Sequence, residues 1–255
     1  MTKPDSLPTV DVVIRTFNSE KYLARCISSA TSFLPVNRII VVDHNSTDCT
    51  VKIAESFGAE IHQENIGLGY ATTLGASLIS TEYVLFLDGD VVITYESFYR
   101  DAIKKFENSR TAAVVGVENG HSFLYGLPLG LTLFRSEFIK NVYIPGNVKG
   151  RETYFIQRAV AASRSKVRYV NNAMEHDSVF RSYRYWPEWQ GANVRYSAGF
   201  SLQELAYSFF VILLIHMNSR RPKNIIYTPI FFIKLLRGFI FPSRWGEMDR
   251  RTTGI

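Results

Sequence analysis

Two carboxylates separated by one glycine follow an apolar run in the first part of the chain. Asp88, Gly89 and Asp90 come directly after the apolar residues 83–87. Carboxylate oxygens suit a hard divalent ion, Mg²⁺ or Mn²⁺, that also bridges substrate phosphates. The glycine would let the backbone turn sharply and come close to a ligand. The motif therefore indicates a metal and phosphate site. Its alternative is an acidic surface turn, because Asp-Gly is common in hairpins.

The elements that must position these carboxylates are strands and helices in alternation. Amphipathic stretches predict helices between four short apolar runs, which predict strands at 10–14, 38–42, 59–62 and 83–87. This order predicts an α/β fold with an open, Rossmann-like, mainly parallel sheet flanked by helices. Ligands bind beyond the carboxyl ends of the strands in such sheets. Asp43, after the second run, is therefore expected to line one crevice with Asp88 and Asp90.

Four stretches resemble the family 2 inverting glycosyltransferases of the GT-A fold, in sequence, order and spacing. They are Val-Val-Ile-Arg-Thr-Phe-Asn-Ser-Glu at 12–20, Val-Val-Asp-His-Asn-Ser-Thr-Asp at 41–48, Asn-Ile-Gly at 65–67 and Leu-Asp-Gly-Asp at 87–90. The resemblance covers nearly all of residues 9–200. It implies transfer of a sugar from a UDP- or GDP-linked donor with inversion, assisted by Mg²⁺ or Mn²⁺.

The resemblance also implies roles for individual residues. Those expected to contact the nucleotide are Thr16, Asn18, Glu20, Asp43, Asn65, Gly67 and Asp88. Asp90 and His176 are the expected metal ligands. The alternatives are a loop cap for Asp43, a simple turn for Asn65 and Gly67, and an ordinary hydrogen-bonded histidine for His176.

The expected general base is Glu152, within Gly150-Arg151-Glu152-Thr153 and followed by Arg158. Such a transfer needs a group that takes the acceptor proton, and this stretch resembles the family's base segment. Arg151 replaces the usual acid there, and we expect it to favour the charged form of Glu152. A solvated Arg-Glu helix start is the alternative.

The chain departs from the common family pattern at three further positions. Arg15 stands where proline is frequent, and His44 and Asn45 replace smaller residues. We expect these changes to alter base recognition and to leave the metal pair untouched.

Arginines alternate with aromatic residues after His176. Such a run could stack nucleobases, hold a diphosphate or stack on sugar rings, and the acidic crevice disfavours nucleic acid. The candidates for diphosphate or acceptor contacts are Arg151, Arg158, Arg181, Arg184 and Trp186.

Composition suits one globular domain with a modest appendix, since 46% of the 255 residues are hydrophobic and 20% are charged. Cys26 and Cys49 lack the spacing of a disulfide framework and are expected to be free thiols. No charged leader followed by an apolar stretch opens the chain, which predicts a cytoplasmic protein.

The predicted domains are a glycosyltransferase domain at 1–200 and a helical appendix at 201–255. Residues 181–255 contain 11 Lys+Arg and 4 Asp+Glu, whereas residues 1–180 contain 18 and 19. The two apolar stretches at 205–217 and 225–241 are short for a bilayer crossing, which needs about 20 residues. We expect a hairpin that lies on an anionic membrane at its cytoplasmic face. Packing on the catalytic domain or a homodimer contact is the alternative.

Other functions remain open at this point. Membrane proximity favours a saccharide or lipid-linked acceptor, and a polyprenyl-phosphate glycosyl synthase of the dolichyl-phosphate-mannose type is one alternative. A non-catalytic nucleotide-sugar binding protein is another. A sugar nucleotidyltransferase is disfavoured, because residues 15–20 lack the glycine-rich loop that grips a triphosphate.

Overall fold

The computed structural model describes residues 7–118, 127–145, 148, 151–177, 186–218 and 223–244. Seven of the strands within these ranges form one mixed sheet, and two form a separate ribbon. The strands are, in chain order, Val10–Thr16 (β1), Val36–Asp43 (β2), Glu60–Gln63 (β3), Tyr83–Asp88 (β4), Val91–Ile93 (β5), Thr111–Gly116 (β6), Leu131–Arg135 (β7), Lys166–Val170 (β8) and Met174–His176 (β9).

The main sheet has the strand order β3-β2-β1-β4-β7-β6-β8. β1 lies between β2 and β4 and is parallel to both, and β3 adds to β2 in parallel. β7 is antiparallel to β4 and to β6, while β8 is parallel to β6. The predicted mainly parallel sheet is confirmed, with β7 reversed relative to its neighbours.

The central strands are apolar throughout because both faces of the sheet are covered. Val12 and Ile14 of β1 belong to one hydrophobic cluster, whereas Val13 belongs to the cluster on the opposite face. Successive side chains of a strand point to opposite faces. A strand covered on both sides is therefore apolar at consecutive positions.

Helices cover both faces of this sheet. They are Leu23–Phe33 (α1), Thr50–Ser56 (α2), Leu68–Leu78 (α3), Phe98–Phe106 (α4), Ser136–Lys140 (α5), Glu152–Ala162 (α6), Trp186–Ala198 (α7), Leu202–Asn218 (α8) and Lys223–Ile240 (α9), followed by a 3-10 turn at Pro242–Arg244. The predicted helices after the first three strands are α1, α2 and α3. Both cysteines are free, as expected: Cys26 is buried in α1 and Cys49 is exposed before α2.

The helices at the carboxyl end pack on one another through a third hydrophobic cluster. Two glycines allow α7 and α9 to touch at their backbones: a Cβ at Gly191 would lie 1.9 Å from the Leu235 carbonyl oxygen, and one at Gly238 would lie 1.8 Å from that of Glu188. The two predicted apolar stretches are helical, as α8 and α9. The boundary near residue 200 stays a prediction.

No helix within the described ranges combines the length and the apolarity that a membrane crossing requires.

Candidate active site

Strand β1 lies between the two strands that end in Asp43 and Asp88, two of the predicted site acids. Thr16 is the register partner of Asp43 on β2, and Arg15 is the partner of Asp88 on β4. The carboxyl ends of these parallel strands meet at one edge of the sheet. The expectation that Asp43 and Asp88 lie at a common edge is therefore confirmed.

Asp43 is fully buried and accepts three hydrogen bonds. Thr16 Oγ1 and Ser46 Oγ donate to its Oδ1 at 2.7 and 2.6 Å, and the Ser46 N–H donates to Oδ2 at 2.7 Å. These bonds are those of a loop cap, which is the alternative role that the sequence offered for Asp43. Contact between Asp43 and a nucleotide base stays a prediction.

Asn18 and Glu20 join the loop after β1 to the loop after β2. Asn18 Oδ1 accepts the Thr47 N–H at 2.9 Å, and Glu20 Oε2 accepts the Cys49 N–H at 3.0 Å. In return, Ser46 Oγ accepts the Asn18 N–H at 2.8 Å. Asn18 has a φ of 46°, a conformation that asparagine adopts more readily than most residues. These two residues thus order the two loops at the carboxyl ends of β1 and β2.

Glu64, directly after β3, is a buried acid near the candidate site that the sequence motifs missed. Its Oε2 accepts the N–H groups of Ile66 and Gly67 at 2.7 and 2.8 Å. Its Oε1 lies 2.6 Å from His44 Nδ1. These bonds stabilise the turn that contains Asn65 and Gly67, which is the alternative role that the sequence offered for both residues. Contact between these two residues and a nucleotide stays a prediction. In the sequence, the signal for this role is an acidic residue directly before the Asn-Ile-Gly turn at 65–67.

Arg15 is buried and bridges two carboxylates. Its Nη2 lies 2.7 Å from Asp88 Oδ1, and its Nη1 lies 2.8 Å from Glu152 Oε1. The exposed fraction is 7% for the Arg15 side chain, 5% for Glu152 and 35% for Asp88. Burial alone would lower the pKa of Arg15, but attraction to Asp88 and Glu152 raises it. The guanidinium therefore stays charged.

This bridge corrects one expectation from the sequence. Arg15 was expected to leave the Asp88-Gly89-Asp90 pair untouched, but it is bonded to Asp88. The reason is the register of β1 and β4, which makes the two residues direct neighbours. Arg15 also points to the same face of the sheet as Val13. That face is covered by α3, where Thr72 Oγ1 accepts a further bond from Arg15 Nη1 at 3.2 Å.

The ribbon of β5 and β9 brings His176, at the end of β9, near Asp90, which directly precedes β5. His176 is the register partner of Val91, and the Asp177 N–H donates to the Asp90 carbonyl oxygen at 2.8 Å. The His176 side chain is 38% exposed, with Nδ1 3.9 Å from Glu118 Oε2. The sequence alone did not predict this pairing of strands.

The turn at Gly89 does not depend on the conformational freedom of glycine. Gly89 does not have a positive φ. A Cβ there would lie 3.4 Å from Ser19 Oγ and 3.6 Å from Thr16 Cγ2, which is ordinary contact. The sequence predicted a sharp turn that requires glycine. The structure does not have that requirement, because the φ of Gly89 is one that other residues can adopt.

Arg151 and Arg158 both contact Glu204 of α8. Arg151 Nη2 lies 3.0 Å from Glu204 Oε2, and Arg158 Nη1 lies 2.9 Å from Oε1. The Tyr154 O–H donates to Oε2 at 2.6 Å. Burial would raise the pKa of Glu204, but these partners outweigh it and lower the pKa. Glu204 thereby ties the helix that begins at Glu152 to the carboxyl-terminal helices.

This network corrects the expected role of Arg151. Its side chain packs over the Tyr154 ring at 3.9 Å, and its Nη1 and Nη2 donate to Ser197 Oγ and Glu204 Oε2 at 3.0 Å each, so both terminal nitrogens are already bonded within the protein. Arg158 is 61% exposed and stays a candidate. Arg181 and Arg184 lie outside the described residues, as does the side chain of Trp186, which begins α7.

Among the described residues, no group of three or more His, Cys, Asp or Glu side chains is arranged to hold a metal ion. Mg²⁺ typically keeps several waters and uses one or two carboxylates together with substrate phosphates. Asp90 supplies a carboxylate of that kind, and His176 lies one position away from it in the register of the ribbon. The chemistry of this pair is thus compatible with an ion that a diphosphate would help to hold.

The fold is the GT-A glycosyltransferase fold. The mannosyltransferase PcManGT from Pyrobaculum calidifontis, solved in complex with GDP-Man and Mn²⁺, superposes with a TM-score of 0.64 at 15% identity, covering 98% of this chain and 79% of that chain. The profile of glycosyl transferase family 2 matches residues 11–172, and the chain belongs to this family.

Two curated relatives show how far the sequence similarity extends. Protein RfbJ of Shigella flexneri is 32% identical over 120 residues, which cover 46% of this chain and 92% of RfbJ. The 4,4'-diaponeurosporenoate glycosyltransferase of Staphylococcus haemolyticus is 26% identical over 125 residues, or 46% of this chain. The match spans only 33% of the length of that second relative.

Proposed function

We propose that the chain transfers a sugar from a UDP- or GDP-linked donor to a hydroxyl or lipid-linked acceptor, with inversion and with the help of Mg²⁺ or Mn²⁺. The observation that carries this proposal is the bridge from Asp88 through Arg15 to Glu152. Asp88, which is expected to contact the donor nucleotide, and Glu152, the expected base, are thereby both bonded to the Arg15 guanidinium.

In the proposed reaction, Glu152 takes the proton from the acceptor hydroxyl. The acceptor oxygen forms a bond to the anomeric carbon as the bond to the diphosphate breaks, and the nucleoside diphosphate leaves with the bonding electrons. A base of this kind must be ionised beforehand. Glu152 lies in the first turn of α6, and its Oε1 is 2.8 Å from Arg15 Nη1.

Arg15 acts as a positioning residue in this proposal. It touches Glu152 and Asp88 without being expected to contact the reacting atoms. Because both carboxylates are bonded to one planar group, their separation is set by the guanidinium. Precise placement of a base relative to its substrate accounts for a large part of catalysis.

Asp90 and His176 are the residues that would hold a divalent ion. Its chemistry there is to offset the negative charge of the leaving group. The presence of Mn²⁺ with GDP-Man in the PcManGT structure supports this part of the proposal. Arg158, Arg181 and Arg184 are the proposed further cations for the diphosphate, and Trp186 the proposed contact for a sugar ring.

The crevice edge would hold the nucleotide. In the described structure, the side chains of Thr16, Asn18, Glu20 and Asp43 order two adjacent loops by bonding to one another or to backbone N–H groups. We expect the base and ribose to lie against these loops, with Asn65 and Gly67 at the next turn.

One alternative loses the feature that suggested it, and another remains. The non-catalytic binding protein was suggested by the replacement of an acid with Arg151, but that arginine pairs with Glu204 and so has a structural reason. A polyprenyl-phosphate glycosyl synthase remains, because an acceptor that is already an anionic phosphate needs no base.

The test is a transfer and hydrolysis assay with labelled UDP- and GDP-sugars in Mn²⁺, using the wild type and Glu152→Gln. We expect donor binding by both proteins, and turnover lowered by roughly 10²–10⁴ in the variant. Equal turnover on a phosphate acceptor would favour the synthase. Absence of binding to every donor would contradict the proposal as a whole.

A further inference from the structure

An exposed apolar stripe runs along α8 and another along α9. Each consists of large apolar side chains spaced three, four or seven residues apart, so each occupies one helical face. The eight side chains are between 40% and 74% exposed, and they are Tyr207, Phe210, Leu214, Met217, Ile226, Ile230, Ile233 and Ile240. We call these eight residues the hairpin face.

The opposite sides of the same helices are already packed. Leu205 and Ile212 of α8 join Leu235 and Phe239 of α9 in the third hydrophobic cluster, together with Val194 of α7. A helix on the surface of a soluble domain normally presents polar residues outward. Here both sides are apolar, and contiguous exposed apolar surface of this kind marks an interaction site.

Charge distinguishes between the possible occupants of this surface. Residues 181–255 contain 11 Lys+Arg against 4 Asp+Glu, and the exposed Arg237 lies within the α9 stripe. A second copy in a two-fold dimer would bring two such cationic segments together, because the same patch faces itself. A bilayer with anionic headgroups has the complementary charge.

The orientation of the helices follows from their packing. Since one side of each helix is buried against protein, only the outward side can enter a bilayer. This is the arrangement of interfacial helices, which lie in the membrane plane with an apolar face in the headgroup region. A hairpin inserted more deeply into a bilayer would need apolar residues around its whole circumference and no side buried against protein.

We propose that the hairpin face binds the surface of an anionic membrane and holds the protein there peripherally. This inference is independent of catalytic activity, since it rests on exposed residues of α8 and α9 that lie outside the candidate active site.

The test is co-sedimentation of the full chain with vesicles of phosphatidylglycerol and phosphatidylcholine, compared with phosphatidylcholine alone. We expect binding to the anionic vesicles, and weaker binding as salt screens the headgroups. Phe210→Glu and Ile233→Glu should each lower the partition coefficient by about tenfold or more, because each removes one large apolar side chain from the interface.

Tyr143→Glu is the matched control, since Tyr143 is 80% exposed and lies outside the hairpin face. It should bind vesicles like the wild type. Circular dichroism should show unchanged melting for all three variants, and if a glutamate variant fails to fold, Phe210→Ser and Ile233→Ser carry the same test. Wild-type protein that ignores anionic vesicles at low salt would overturn the proposal.

Light scattering without vesicles tests the competing occupant. We expect a monomer for the wild type at the concentrations used for sedimentation. A dimer that Ile233→Glu dissociates would show that a second copy covers the hairpin face, and would overturn the membrane proposal.

Discussion

Arg15 Nη1 lies 2.8 Å from Glu152 Oε1, although the two residues are 137 positions apart in the chain. Both side chains are buried, so water cannot solvate either charge if its partner is removed. Removing one partner of a buried ion pair is strongly destabilising, because the other charge remains without compensation. Arg15 is thus expected to affect both folding and the placement of Glu152.

Arg15→Met should lower the free energy of unfolding by about 3–5 kcal/mol, and should lower kcat more than it raises KM for the donor. Arg15→Lys should recover part of the activity, because a cation returns without the two-pronged geometry. Denaturant melts and steady-state kinetics provide the measurements. If Arg15→Met loses stability while its kcat is unchanged, Arg15 has a structural role only.

Metal-dependent binding of UDP or GDP should require Asp90. Calorimetric titration should show tighter nucleotide binding with Mn²⁺ for the wild type, no such gain for Asp90→Ala and a reduced gain for His176→Ala. Glu175→Ala is the control, because this half-exposed acid is on the same ribbon and is not a predicted ligand. Equal Mn²⁺ dependence of Asp90→Ala and wild type would refute the assignment.

Glu204 should make the fold sensitive to acid. Its pKa is lowered in the folded protein from the ordinary value of 4.5, so its contribution to stability is present above that value and is lost as the pH falls through the folded pKa. The melting temperature of Glu204→Gln should lie below that of the wild type at neutral pH, and the gap should shrink on acidification. Glu55→Gln, at an exposed position of α2, should follow the wild type throughout.

Gly238→Ala should destabilise the carboxyl-terminal helices. Its Cβ would lie 1.8 Å from the Glu188 carbonyl oxygen, so α7 and α9 must separate. Overpacking of this kind costs about 1–3 kcal/mol. Gly89→Ala is the control, because its Cβ meets nothing closer than 3.4 Å and the melt should match that of the wild type. Identical melts for both variants would show that the helix contact is looser than described.

The strands of the sheet and the location of the candidate site can be predicted from the sequence because the patterns that indicate them are local. The apolar run of β1 predicts a strand covered on both sides, and the acids that end β2 and β4 predict a ligand crevice at the carboxyl edge. Residues 12–20 and 87–90 also carry the family resemblance in short motifs. Strand type and motif depend on neighbours along the chain, so no long-range information is needed.

The contacts of the site residues were decided by the tertiary structure. Arg15 was expected to influence base recognition, but the register of β1 with β4 and the position of α6 place it between Asp88 and Glu152. Arg151 was expected to act on its neighbour in sequence, yet it reaches Glu204 on α8. Polar pairs of this kind have no periodicity along the chain, so only packing determines which charges meet.

The outward sides of α8 and α9 also had to come from the structure. The sequence established that both segments are apolar and lie in a basic part of the chain. It did not determine which apolar side faces the protein, because side chains such as Ile233 and Leu235 are equally hydrophobic. The choice follows from the close crossing of α7 and α9 at Gly191 and Gly238, since backbone contact at that crossing fixes the rotation of α9 about its axis.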